Sequence, residues 1–382
     1  MDLGTQIPLL NFALPIGISF YTFHSITYIV TLYRGQMEPA KSFTEYAIFV
    51  AFFPQLVAGP ILRAYQFLPQ LRENLQNSET VGKLRLIVLQ RSNLKLGVTM
   101  MAFGFFKKMF FADNIASLAN DIFESPIGHE SFTIILGAIA FGIQIYCDFS
   151  GYTDIAIGAA LVMGFKLPIN FNKPYFASSP SDFWKRWHIS LSSWLRDYLY
   201  IPLGGNKKSQ KRTYFNLAIV MFLGGLWHGA SWNFVIWGML HGLYLAIHKM
   251  ILDKIPVLKN NTFFRSKFGF VLSIFVTQYL VFLTWIAFRI QDFEDLMYSM
   301  KKYVIIDFLV GKTSAIILEH KFEVFLIVLF IVLHVVSYKK QNLPERISNY
   351  KLHYWGIFLL VIMLGIMFFY DGNPEDFIYF QF

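Results

Sequence analysis

The stretch TYFNLAIVMFLGGLWHGASWNFVIWGMLHGLYLAIH, residues 213–248, contains no aspartate, glutamate, lysine or arginine. An apolar run of this length belongs in a lipid bilayer, since one membrane-spanning helix needs only about 20 residues. Gly224, Gly225 and Gly229 supply flexible points at which a helix can break. The stretch therefore predicts an integral membrane protein, and it places a histidine, His228, near its centre.

The composition of the whole chain supports membrane insertion. Of its 382 residues, 55% are hydrophobic and 15% are charged, and the mean hydropathy is +0.47, whereas a soluble domain is about one quarter charged. The net charge of +9 comes from short basic clusters between apolar runs, a pattern that orients membrane proteins and argues against nucleic-acid binding. The single cysteine, Cys147, excludes an internal disulfide and a cysteine zinc cage.

Apolar runs along the chain predict the membrane segments of an all-α polytopic bundle, with roughly eight to ten crossings. Lys107 and Lys108 interrupt the third run and are expected to snorkel toward water. An acidic turn is expected between the fourth and fifth runs, and the shortest runs are expected to be tilted, broken or re-entrant. The runs cover residues 3–33, 46–62, 96–113, 131–147, 155–165, 213–248, 268–288, 324–338 and 352–370.

Loop charges predict the orientation of these segments. Residues 249–267 carry five basic residues and one acidic residue, and residues 339–351 carry four and one, so both loops are expected in the cytoplasm. Residues 291–323 carry four basic and six acidic residues, and the tail after Tyr370 carries three acidic and no basic residues, so both are expected outside. Because basic residues flank 213–248 on both sides, that segment must cross an even number of times or fold back as a hairpin.

The position of His228 within an apolar segment suggests a role in proton transfer. It lies 15 residues beyond Thr213, which at the helical rise is about 22 Å, inside a hydrocarbon core of about 30 Å. A side chain that titrates near neutral pH is costly there and is usually kept for proton transfer. The alternative is a neutral core histidine bonded to a backbone carbonyl. His241 and His248, which lack the glycine-rich surroundings, are interpreted as structural.

A second histidine, His188, follows a predicted helix start. Ser179, Pro180 and Asp182 fit a serine cap, a proline in the first turn and an early carboxylate. Aromatic and leucine side chains then recur at three-to-four spacing, which predicts an amphipathic helix at the membrane interface ending before residues 202–205; they are Phe183, Trp187, Leu191, Trp194 and Tyr198. In the alternative interpretation this helix is only an aromatic anchor.

Polar residues between apolar runs form the rest of the candidate site. Asp148 and Asp154 are expected either to face water at the interface or to pair with lysine and arginine inside the bundle. Residues 170–175 form a polar turn that leads into the amphipathic helix.

At these residues the chain resembles the membrane-bound O-acyltransferases (MBOAT). It is more similar to their bacterial alginate O-acetyltransferase branch than to the branch that transfers D-alanine to teichoic acid. The ordered set of motifs covers essentially the whole chain, and it comprises LPIGISFY (14–21), FPQLVAGP (53–60), DFSGYTD (148–154), FWKRWHISLS (183–192), WLRDYLY (194–200), GGLWHG (224–229) and FIYFQF (377–382).

The resemblance implies the roles of the site residues. His228 occupies the position of the family's catalytic histidine, and His188 the position where other branches carry asparagine. We expect His228 to act as the general base and His188 to orient donor or acceptor. A supporting polar site is expected to comprise Asp148, Asp154, Asn172, Arg186 and Trp227.

The resemblance also implies a biological setting. The fold would be a helical bundle with re-entrant and amphipathic interfacial helices around a central tunnel, in the bacterial inner membrane. Residues 1–382 would form one domain, from which N-terminal segments usual in the family are missing. The donor would be an acyl thioester, either acetyl-CoA or an acyl carrier, with no bound cofactor or metal. A periplasmic or extracellular acetyltransferase partner would receive the acetyl group for an exopolysaccharide, and the lipid bilayer would be the other partner.

Three other functions are less well supported. D-alanyl transfer to a cell-wall polymer would use the same machinery. A transporter or flippase would be expected to contain internal repeats with paired broken helices, and the sequence contains none that we recognise. A membrane metalloenzyme is disfavoured because the histidines are scattered and the motif His-Glu-x-x-His is absent.

Overall fold

The computed structural model describes residues 17–56, 58–81, 91–370, 372 and 375–378, and these residues form helices and connecting loops without a β-strand. Two π-helices, Phe106–Ala112 and Arg196–Tyr200, and three short 3-10 turns, Phe53–Gln55, Pro174–Phe176 and Pro256–Asn260, interrupt the α-helices. The α-helices are α1 Ile18–Tyr33, α2 Phe43–Val50, α3 Ala64–Val81, α4 Arg91–Phe105, α5 Asp113–Glu124, α6 Ser131–Val162, α7 Pro180–Trp184, α8 Ile189–Leu195, α9 Gln210–His228, α10 Trp232–Lys254, α11 Thr262–Arg265, α12 Lys267–Arg289, α13 Phe293–Val304, α14 Gly311–Glu319, α15 Lys321–Lys339, α16 Leu343–Ser348 and α17 Leu352–Phe369.

Five of the described helices, α6, α10, α12, α15 and α17, are long and apolar enough to cross a membrane. This confirms the predicted all-α polytopic class. The run 46–62 was wrongly predicted as a span, because α2 has only 8 residues and is followed by a 3-10 turn at Pro54 and by bends and irregular chain. The part of the first run before Gly17, and with it the start of the LPIGISFY motif, lies outside the described residues.

Helix α6 is the centre of the bundle. It runs unbroken for 32 residues, so the acidic turn predicted within residues 148–154 is wrong. Glycines allow α4 to approach it closely: a Cβ at Gly97 would lie 2.6 Å from the Gly158 carbonyl oxygen, and one at Gly104 2.5 Å from that of Gly151. Gly97 and Gly104 are seven residues apart in α4, as are Gly151 and Gly158 in α6. Each helix therefore presents its two glycines on one face, as small residues do at contacts between membrane helices.

Helices α9 and α10 form the hairpin predicted for residues 213–248. The turn comprises residues 229–231, so Gly229 breaks the helix as expected. Gly225, by contrast, stays helical and brings the two arms together, because a Cβ there would lie 2.3 Å from the Phe234 carbonyl oxygen and 3.2 Å from the Gly238 Cα. Gly224 is helical as well.

The loops predicted for opposite sides of the membrane lie at opposite ends of α6. At its N-terminal end, Ser131 bonds with Asp307 from the loop after α13. A hydrogen bond from Lys302 lowers the pKa of Asp307 to about 2, with backbone N–H groups contributing. At the other end, where the start of α4 packs, Lys95 donates to the Tyr350 carbonyl oxygen beyond α16. The separation agrees with the charge pattern, and which end is cytoplasmic stays a prediction.

Candidate functional site

His228 lies at the tip of the hairpin, as the last residue of α9. Aromatic rings surround its imidazole: the ring centroids of Trp227, Phe288 and Trp237 lie 4.7, 5.0 and 5.1 Å from its own. Phe288 belongs to the last turn of α12, so the histidine lies level with that end of the helix. The hairpin therefore presents an imidazole, partly exposed, within an apolar aromatic surrounding.

His188 lies in a break between two short helices. The predicted amphipathic helix is not continuous: α7 ends at Trp184, α8 begins at Ile189, and His188 between them has a left-handed backbone with a φ of 43°. The predicted cap is confirmed, since Ser179 accepts a hydrogen bond from the Asp182 N–H. The apolar face packs against protein and not against lipid, because four of its five predicted side chains are buried in the core, namely Phe183, Trp187, Leu191 and Trp194. The depth of this segment in the membrane stays a prediction.

The preceding loop holds this break in shape. The Asn170 side-chain oxygen accepts hydrogen bonds from the Ser190 N–H and hydroxyl, at 3.1 and 2.6 Å, and its carbonyl oxygen accepts from the Ile189 N–H. Asn172 donates its N–H to the Arg186 carbonyl oxygen on the other side of His188. His188 itself is only 1% exposed, and neither ring nitrogen is hydrogen-bonded to another described residue. Its hydrogen-bonding capacity is unused within the described part of the chain.

Trp227 connects the two histidines. Its ring centroid lies 4.7 Å from that of His228 and 6.5 Å from that of His188. Phe149 of α6 contacts the other side of the site, with its ring edge-on to His188 at 4.7 Å. The fold therefore brings together three of the predicted site residues, which are separated by up to 40 positions in the sequence.

Asp148 and Asp154 pair with lysines inside the bundle, as one of the two alternatives predicted. Lys108 lies 2.8 Å from both Asp148 and Asp113, and Lys107 lies 2.7 Å from Asp154. The predicted snorkelling of the two lysines is therefore wrong. They project from a π-helix against α6, and the cost of leaving a carboxylate unpaired in a buried position favours pairing over exposure.

The segment 375–378 also meets this cluster. The Ile378 N–H donates to Asp148 at 3.0 Å, and Lys108 donates to the Glu375 carbonyl oxygen at 2.9 Å. Phe377 and Ile378 are buried, and the Phe377 ring stacks on Tyr152 at 5.0 Å. This part of the tail packs within the bundle, and the side of the membrane on which it lies stays a prediction. Residues 379–382 lie outside the described residues.

Two members of the predicted supporting set have partners other than the imidazoles. Arg186 forms an ion pair with Asp182 at 2.9 Å, and Asn172 is exposed. Both shape the loop around His188 through backbone contacts. Asn170 and Lys108 were not selected from the sequence. Asn170 bonds to Ser190 beside His188, and Lys108 pairs with Asp148 beside Phe149. The signal for Asn170 was its place in the polar turn, and the signal for Lys108 was a charge within an apolar run.

Comparison with known proteins identifies the family. The model of the membrane-bound O-acyltransferase family matches residues 40–288, which include both histidines and most of the motifs. The chain belongs to this family. It is a multi-pass membrane protein, and the site lies within the family's matched region.

Individual relatives of this MBOAT protein are bacterial. It is 43% identical over 284 residues to a probable alginate O-acetylase of Azotobacter vinelandii, covering 74% of this chain and 52% of the relative. It is 36% identical to a peptidoglycan O-acetyltransferase of Helicobacter pylori, covering 77% and 58%, and 30% identical to a teichoic acid D-alanyltransferase of Streptococcus thermophilus, covering 78% and 72%. The chain spans about half the length of the alginate relatives.

Proposed function

We propose that this protein is an O-acyltransferase that moves an acetyl group from a cytoplasmic thioester toward an extracellular polysaccharide. The observation that carries the proposal is the meeting of His228 and His188 at Trp227, inside an aromatic surrounding. Acyl transfer needs a base for the acceptor hydroxyl and a hydrogen-bond donor for the oxyanion. Two imidazoles on neighbouring elements can supply these two functions.

In the proposed reaction His228 acts as the general base. It takes the proton of the acceptor hydroxyl as that oxygen attacks the thioester carbonyl carbon. The new C–O bond forms, the C–S bond breaks, and the proton passes from His228 to the departing thiolate. His188, with hydrogen-bonding capacity unused by described residues, orients the acceptor or holds the oxyanion.

A cavity of about 330 Å³ between α7, α8 and the hairpin supports a donor path from the cytoplasmic side. Its lining is mostly apolar, and the exposed side chains of Arg196 and Lys249 are at its edge. Trp184 lines it and lies 5.8 Å from Trp237, whose ring is 5.1 Å from His228. An apolar cavity suits a pantetheine arm, and basic side chains suit its phosphates.

The acceptor side of the proposal follows the relatives. Two of them are named for O-acetylation, of alginate and of peptidoglycan, so we infer a polysaccharide acceptor. A periplasmic or extracellular acetyltransferase partner, which the family resemblance implies, is part of the proposal. D-alanyl transfer is the second candidate, favoured by the 30% identity to a teichoic acid D-alanyltransferase.

A thioester assay tests the proposal. Purified protein is supplied with acetyl-CoA, an alginate oligosaccharide and a periplasmic extract of the same bacterium as the source of the partner acetyltransferase, and free thiol is measured over time. His228→Gln keeps size and hydrogen bonding but cannot accept the proton near neutral pH, so we expect it to be slowed by about 10²-fold or more, as His228→Ala should be. His353→Gln, an exposed histidine on α17, is the matched control and should retain full activity.

Two results of this assay would contradict the proposal. If His228→Gln releases thiol at nearly the rate of the unchanged protein, the base lies elsewhere and His228 is structural. If acetyl-CoA is inert while a D-alanyl carrier thioester is consumed, the second candidate replaces the first.

A further inference from the structure

A second cavity, of about 460 Å³, lies between the end of α1, the start of α3 and the π-helix Arg196–Tyr200. Its polar lining comprises Arg34, Gln36, Arg63, Tyr65, Asp197 and Tyr198. The volume is within the range of about 300–1,000 Å³ typical of small-molecule sites. The cavity is distinct from the one lined by Trp184, which adjoins Arg196 and Tyr200 of the same π-helix.

Positive charge exceeds negative charge around this cavity. Asp197 is the one carboxylate in the lining, and it is shared between Arg63 and Arg196. Arg34 forms no ion pair with any residue that the structure describes. A guanidinium at a cavity wall without a carboxylate partner can bind an anion without first breaking an ion pair.

The two arginines of the lining converge on one ring. The guanidinium carbons of Arg34 and Arg63 lie 5.6 and 5.5 Å from the Tyr198 ring centroid. That ring is held in place, since its hydroxyl is 3.1 Å from the Thr31 hydroxyl and it stacks on Trp194 at 5.0 Å. The cations are therefore positioned before any ligand arrives, which lowers the entropy lost on binding.

We propose that this cavity binds a phosphate group. Planar guanidinium donors match the oxygens of phosphate in two-point contacts, and Gln36 and Tyr65 add neutral donors. Ile201 also lines the cavity, and it lies six positions before the basic segment 207–212, which the charge pattern places in the cytoplasm. Phosphates from two sources reach that position, a soluble phosphate ester such as coenzyme A and the headgroup of an anionic lipid. Binding of a lipid headgroup stands independently of the acyl-transfer chemistry, whereas binding of coenzyme A would connect this cavity with the donor of the proposed function.

Arg34→Gln is the informative variant, because Arg34 is exposed and no described ion pair depends on it. Arg212→Gln is the matched control, since Arg212 is an exposed cation on the same predicted side, outside the cavity. The proteins are purified in a phosphate-free maltoside detergent. Their melting temperatures without ligand should agree, which shows that the variants are folded.

Binding is measured in two arms. In the soluble arm, sodium pyrophosphate and coenzyme A are titrated while tryptophan fluorescence is followed, since Trp194 stacks on Tyr198. In the lipid arm, native mass spectrometry counts retained phosphatidylglycerol, with diacylglycerol as the phosphate-free control. We expect the unchanged protein and Arg212→Gln to bind in at least one arm, and Arg34→Gln to bind about tenfold more weakly, which is the loss of one charged hydrogen bond.

The arm in which Arg34 matters identifies the source of the phosphate. A difference confined to phosphatidylglycerol assigns the cavity to a lipid headgroup, and one confined to the soluble arm assigns it to a phosphate ester. Equal binding by all three proteins in both arms, or no binding in either, overturns the proposal.

Discussion

The backbone of His188 constrains what can replace it. A left-handed φ of 43° is uncommon for residues other than glycine, and asparagine tolerates it better than most. Alanine costs roughly 1–2 kcal/mol in that conformation, and it also removes the ring. The resemblance to branches that carry asparagine at this position therefore has a backbone reason as well as a chemical one.

We expect His188→Asn to retain measurable transfer, because asparagine keeps both the backbone geometry and a side-chain donor and acceptor. His188→Ala should lose much more activity and also melt at a lower temperature. Thiol release and thermal unfolding of the purified variants measure the two effects separately. If all three proteins transfer equally well, His188 is part of an aromatic anchor and has no role in the reaction.

The sequence was enough to select His228 and His188 as candidates, and their roles stay predictions, whereas the shape around them was not predictable. His228 and His188 stood out because titratable groups are rare in apolar surroundings. The break at His188 was missed because apolar residues continue at helical spacing through it. At the break, the Asn170 side-chain oxygen accepts two hydrogen bonds from Ser190, 20 positions later, and no local pattern encodes such a contact.

At the scale of helices, the two adjacent glycines of α9 should respond differently to substitution. A Cβ at Gly225 would meet the backbone of α10 at 2.3 Å, whereas one at Gly224 would meet only the end of the Leu195 side chain at 3.5 Å. We expect Gly225→Ala to push the hairpin arms apart, lowering the melting temperature and the activity. Gly224→Ala is the matched control and should behave like the unchanged protein. Equal melting temperatures for both would show that α9 and α10 are not held together at Gly225.

The lysine pair of the first π-helix provides a second test at this scale. Lys108→Met leaves Asp113 and Asp148, whose side chains are 3% and 2% exposed, without their cation, which should cost about 3–5 kcal/mol. Lys107→Met affects Asp154, which is 26% exposed, and should cost less. Unfolding in mixed micelles gives both values. A smaller loss for Lys108→Met than for Lys107→Met would contradict the assigned burial of the cluster.

The elements that were wrongly predicted share a physical cause. Charges within apolar sequence were interpreted as marks of an interface, so Asp148 and Asp154 became a turn and Lys107 and Lys108 became snorkelling residues. In the bundle they neutralise one another across α6 and the π-helix. Sequence separation of about 40 residues hides such pairing, whereas the long uncharged runs of α12, α15 and α17 needed no partner and were predicted well.

For the whole molecule, orientation is the property that the charge pattern predicts and that bilayer labelling can test. After Cys147→Ala removes the single cysteine, exposed positions accept a new one. In intact cells, an impermeant thiol reagent should label Glu319→Cys, in the acidic outer loop, and should label Lys340→Cys only after the membrane is opened. The reverse pattern at both positions would invert the orientation and move the phosphate-binding cavity to the outer face.

The hairpin of α9 and α10 also bears on biogenesis. If both its ends are cytoplasmic, insertion carries only the uncharged turn of residues 229–231 toward the far side. In the same orientation, the segment 291–323 would take ten charged side chains through the bilayer during synthesis. The catalytic candidate therefore reaches its position without translocation of a hydrophilic loop. Insertion of the hairpin that carries His228 should therefore be insensitive to defects in the secretion machinery that delay export of the segment 291–323.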